Sequence, residues 1–234
     1  MKKIKYDHII DQSEEIIAIQ GIVRGHINLA QYKTAYKYLI KISKKYPASY
    51  YIASMLATLN AEDAFCFADN EKNKKFSDAA KKLKVLLSHS KGATERLRKR
   101  NINEYYWFAE LHKKQYQLGL KEVKAGNIGG LYSQGVGSAN YAHKLFLEGK
   151  PVRGMRWAQK SQIIWEEFFE KCTKDYHDPW FWYGLSLGLQ GLVKEMEAAI
   201  KKSAKLSKKN HATDPAFKKL RKMIKMAQQA KSKK

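Results

Sequence analysis

Residues 28–47, NLAQYKTAYKYLIKISKKYP, set the reading of the whole chain. Tyr32, Ala35, Leu39 and Ile42 recur at three- and four-residue spacing, which on a helix places them along one face, with lysines at many of the other positions. Pro47 stops the segment, because its ring clashes with a preceding helical turn. The same spacing returns in Phe76, Ala79, Leu83 and Leu86, after a polar stretch at 69–75 that reads as a turn with its break at Asn73. Pro151 stands where a first helical residue belongs, and Gly154, Ala158 and Ser161 form a small-residue seam on which a second helix can pack closely. Trp180, Gly184 and Leu187 mark a helix with an aromatic end, closed by Gly191 ahead of another over 193–206. With only four prolines in 234 residues, and spacing of three and four rather than alternation, the chain is expected to be all-α.

Hydrophobic residues make up 44% of the chain and aromatics 12%, too much apolar surface for a disordered polypeptide. The length suffices for a substantial core. Cys66 and Cys172 are too far apart in sequence for a metal hook or redox pair, and two cysteines are too few for a disulfide framework. This points to a reducing, cytoplasmic compartment. The opening MKKIKYDHIIDQ has no long apolar run, and no stretch approaches ~18 apolar residues, so neither a signal peptide nor a membrane span is expected.

Tyr32, Ala35, Leu39, Ile42 and Pro47 resemble the second helix and closing proline of a tetratricopeptide repeat, and Trp180, Gly184, Leu187 and Gly191 resemble its first helix and turn. Ala142, Leu145, Gly149, Gly154, Ala158 and Ser161 follow both helices of one such repeat, with Gly154 in place of the usual alanine and Ala158 in place of the usual large aromatic. Equivalent points recur over longer intervals than the family's period, from Ala35 to Ala79 and from Gly149 to Gly191, and 94–137 fits poorly. The resemblance implies a right-handed solenoid of helical hairpins over 1–206, with an irregular helical bundle as the alternative architecture. It also implies a groove lined by the first helix of each pair, with Asn60, Asn140, His143, Lys144, Tyr183 and Gln190 as candidate partner contacts. Asn140 and Lys144 resemble the polar positions with which some family members clamp a partner's terminal carboxylate.

Sequence motifs for catalysis are weak. The glycine-rich run 126–138, GNIGGLYSQGVGS, has the four-residue gap of a phosphate loop between Gly130 and Gly135, but Val136 stands where the phosphate-binding lysine belongs. It reads as a flexible connector, with Ser138 as an N-cap that could face an anion. His8, His26, His89, His112, His143, His177 and His211 show no pair at metal-ligand spacing. Glu166, Glu167 and Glu170 read as a solvated helix face, and no nucleophile motif surrounds any Ser, Cys or His. No catalytic residue, metal or cofactor is expected. The aromatic runs 105–108 and 180–183 read mainly as core, because consecutive helical residues point to different sides.

Lysine and arginine number 45 against 22 acids, a net charge of +23, of which +12 lies in 201–234. Only seven of the basic residues are arginine, and three of those fall in the cluster 96–100. After Pro215, the apolar stripe Phe217, Leu220 and Ile224 alternates with Lys218, Lys219, Arg221, Lys222 and Lys225. This predicts a basic amphipathic helix within 207–234 that caps the helical domain. The expected function is a non-catalytic scaffold that binds another protein through a peptide or helix in its groove. The alternative is a basic nucleic-acid- or ribosome-associated protein, with polyanion contacts at Arg96, Arg98, Lys99 and Arg100 and along the tail at Lys218, Lys219, Arg221, Lys222 and Lys225.

Overall fold

The apolar spacing is realised as ten α-helices among the residues that the computed structural model describes, 6–7, 9–62, 69–90 and 92–207. The only strand-like pairing among them is an isolated bridge between Asp7 and Ser49. The chain divides into two units, Met1–Leu111 and His112–Lys234. None of the helices described is long and apolar enough to cross a membrane.

The first unit holds α1 (Glu14–Asn28), α2 (Tyr32–Ser43), α3 (Tyr50–Glu62), α4 (Asp69–Leu87) and α5 (Gly92–Phe108), each packed on the next from α1 to α5. Ser13 caps α1 by accepting from the Ile16 N–H, and Glu14 and Glu15 lie in its positive first turn. Ile16, Ile19 and Val23 of α1 meet Ala35 and Leu39 of α2 and Ile52 and Leu59 of α3 in one core, with Tyr32 and Ile42 against it. Asp11 secures the start of α3 by accepting from the Tyr51 N–H at 2.9 Å and from the Ser49 hydroxyl. Phe76, Ala79, Leu83 and Leu86 are buried on α4, as their spacing predicts. Phe76 stacks on Phe108 of α5 with ring centroids 4.9 Å apart. In the run 105–108, Tyr105 and Tyr106 are buried while Trp107 is exposed.

The stretch 69–75, read as a turn, is instead the first two turns of α4. Lys and Glu are good helix formers, so the penalty of Asn70 and Asn73, at most about 0.7 kcal/mol each, is small against the burial of Phe76, worth about 1.5–3 kcal/mol.

The second unit holds α6 (His112–Lys124), α7 (Gly129–Leu147), α8 (Pro151–Lys171), α9 (His177–Leu189) and α10 (Val193–Leu206). Each packs on the next, and α7 also packs on α9. Pro151 is the first residue of α8, and Gly126, Gly149 and Gly191 take positive φ in the turns after α6, α7 and α9. The glycine-rich run is not a connector beyond Asn127 and Ile128, because Gly129 begins α7, whose inward face is built from Gly130, Gly135 and Gly137. A methyl group on Gly137 would sit 2.6 Å from the Tyr116 amide nitrogen, and one on Gly130 would sit 2.8 Å from that of Val123. These glycines therefore let α6 and α7 touch backbone to backbone. Gly135 is roofed by the fully buried Trp165 ring of α8. Ser138, read as a helix cap, is a buried mid-helix residue whose hydroxyl donates to the Gln134 carbonyl at 2.6 Å.

The small-residue seam of α8 is also buried. Ser161 donates to the Gly135 carbonyl at 3.1 Å and receives the Ser186 hydroxyl at 2.8 Å, tying α7, α8 and α9 together. Gly184 of α9 faces α10, and a methyl group there would sit 3.0 Å from Ile200 Cγ1 and 3.5 Å from Ala199 Cβ. Gly184→Leu is therefore expected to destabilise this unit by roughly 1–3 kcal/mol through overpacking. An unchanged melting temperature would contradict the contact. The amphipathic helix expected near the C-terminus lies beyond Ser207, outside the described residues.

Candidate functional site

Five of the six candidate groove residues interact within the second unit. Tyr183 on α9 donates its hydroxyl to Glu166 of α8 at 3.1 Å, and Gln190 donates to Gln162 of α8 at 2.9 Å. Burial and the Glu166 carboxylate beside it push the Tyr183 phenol up to about 12. Asn140 donates to the Val136 carbonyl of its own helix at 2.9 Å. Lys144 stands close enough to His112 at the start of α6, with His143, to disfavour its protonated form. Asn60, near the end of α3, belongs to the first unit.

The cluster 96–100 is largely engaged with the protein itself. Arg98 donates to the Tyr50 hydroxyl at 3.1 Å and lies over the Tyr50 ring at 5.6 Å. Lys99 pairs with Glu95 at 2.8 Å and Arg100 with Glu104 at 3.0 Å, while Arg96 is exposed. Lys218, Lys219, Arg221, Lys222 and Lys225 lie outside the described residues.

Asn60 lines an open cleft of about 580 Å³ together with Glu71, Lys74, Lys75, Asp78, Lys81 and Lys82 of α4. The helix produces this arrangement directly. Phe76, Ala79, Ala80, Leu83 and Leu86 turn one face of α4 into the core, so the polar residues between them face outward. Lys74 and Lys81 are seven residues apart, as are Lys75 and Lys82, which places the two pairs about two turns apart on one side of the helix. Lys81 pairs with Asp78 at 3.0 Å, but both side chains are well exposed and the pair contributes little to stability. Lys74 and Lys82 are exposed at the two ends of the group. Compact, mobile ammonium groups around a concave surface suit carboxylates or phosphates as point-charge partners.

The sequence reading left Lys74 and Lys75 outside the helix because it began the helix only after 75. The heptad offset of the two Lys-Lys pairs was the available signal.

No protein-family model matches this chain, and comparison with curated proteins finds no match.

Proposed function

We propose that the protein is a non-catalytic binding scaffold of tetratricopeptide-like helical hairpins, and that its partner is an acidic segment of another protein seated in the cleft of α3 and α4. The observation that carries this reading is the cleft itself, concave and lined by the Asn60 amide and by four lysines against the two carboxylates of Glu71 and Asp78. The packing of α7 on both α8 and α9 supports a hairpin stack in the second unit, because next-but-one helix contacts are what stacked pairs make.

Nucleic acid is the second reading, favoured by the net charge of +23 and by the basic tail. Within the cleft it is less favoured. No arginine lines the cleft to offer bidentate phosphate contacts, and Glu71 and Asp78, which repel any anion, interrupt the positive surface that a continuous row of phosphates would follow. A peptide, by contrast, can set its carboxylates beside Lys74 and Lys82 at the two ends.

The two readings separate in a polarisation assay with a fluorescent Glu- and Asp-rich peptide and a single-stranded RNA of matched charge. Lys74→Glu with Lys82→Glu is expected to weaken peptide binding at least tenfold while leaving RNA binding through the tail within about twofold. Peptide binding that survives the double substitution, or RNA binding lost with it, would remove the cleft from the peptide reading.

A further inference from the structure

Helix α1 is apolar on both of its faces. Ile16, Ile19 and Val23 enter the core, but away from it Ile17 is 56% exposed on one flank, and Ile22 47% and Leu29, immediately after the helix, 69% on the other. Between them lie Gly21 and Gly25. A methyl group on either would meet nothing within 4 Å, so nothing described in this unit requires a glycine there. Yet each lowers helix stability by about 1 kcal/mol relative to alanine. Gly130 and Gly137 in the second unit are explained by the backbone they touch; Gly21 and Gly25 touch nothing comparable.

We propose that α1 is the contact face of a homodimer, packed antiparallel on α1 of a second copy about a twofold axis near Gly21. The pattern is complementary to itself. In such a pair each Gly21 faces its own symmetry mate, and Ile17 of each copy projects over Gly25 of the other, once on each side of the axis. The charges fit the same arrangement. Glu14 lies about one turn from Arg24 of the second copy, within reach of the long arginine side chain, and symmetry makes this pairing twice. Antiparallel helices also set their dipoles head to tail. Within α1 Arg24 is the only lysine or arginine, against Glu14 and Glu15, so the face lacks the basic flanks that an anionic membrane or a nucleic acid would select.

The association is expected to tighten with salt, because each copy carries +23 and screening relieves their repulsion. Binding to a polyanion would weaken over the same range. In analytical ultracentrifugation at about 100 µM and 0.3 M salt, the full chain should sediment as a dimer. Gly21→Gln with Gly25→Gln should raise the dissociation constant at least tenfold while the circular dichroism and melting of the folded chain are retained, since both positions open to solvent. For register, Gly21→Cys with Cys66→Ser and Cys172→Ser should oxidise to a disulfide-linked dimer. Glu14→Cys in the same background should not, because antiparallel packing holds its two copies about 21 Å apart along the axis. A wild-type monomer under these conditions, a dimer indifferent to the glutamines, or equal cross-linking at 14 and 21 would each overturn the proposal.

Discussion

Gly119→Ala is expected to destabilise the second unit by about 3 kcal/mol, although alanine is the better helix former. The added methyl would sit 2.7 Å from the Gln134 amide nitrogen of α7, beside the carbonyl of Gly130. Both are backbone atoms, so relief requires α6 and α7 to separate, and separation loosens Tyr116, Leu131 and Val136, which share their core. This places the cost at the upper end of the overpacking range. Gly137→Ala is expected to behave alike, because its methyl would meet the Tyr116 nitrogen and, at 2.8 Å, the His112 carbonyl. Gly25→Ala supplies the contrast: with open space around it, the same substitution should stabilise the first unit of the monomeric chain by about 0.4–1 kcal/mol. Denaturant titrations of the three variants read the signs directly, and a stabilising Gly119→Ala would rule out the backbone contact between α6 and α7.

The second unit is expected to lose about 3 kcal/mol of stability as the pH falls from 6.5 to 4, owing to His112 alone. Burial, followed by the charges of Lys144 and His143, lowers the His112 imidazole from 6.5 to about 4, and the ring is only 8% exposed. The folded ring stays neutral through this range while the unfolded ring takes up a proton, so protons favour the unfolded chain. The contribution is complete above pH 6.5 and is lost as the pH falls through the folded value. His112→Leu should flatten this part of the pH profile. Tryptophan fluorescence follows the unit well, since Trp157, Trp165, Trp180 and Trp182 all lie within it. Equal pH slopes in the wild type and in His112→Leu would show that His112 is not held neutral.

The candidate site was legible only in part. Asn60 was singled out from sequence and lies at the cleft, but the reading of 69–75 as a turn separated Lys74 and Lys75 from Lys81 and Lys82, which share their helix face. Asn70 and Asn73 disfavour a helix locally, and the rings of Tyr105 and Phe108 that hold Phe76 in place come from α5. Tyr183 on the apolar α9 and Gln190 just after it are polar, which alone marks them as exposed; the acceptors Glu166 and Gln162 are supplied by α8.

The sequence by itself determined the helical class, the buried stripe of α2, the start of α8 at Pro151 and the span of α10, because periodicity, proline and turn glycines act within about one helical turn. It could not assign roles to the other glycines. Gly21, Gly119 and Gly130 carry the same local entropy penalty, and all three sit inside helices. Tertiary structure alone separates them: α6 and α7 bring the backbones around Gly119 and Gly130 into contact, while the space beside Gly21 stays open. That difference depends on atoms contributed by another helix, and no rule confined to one segment can contain it.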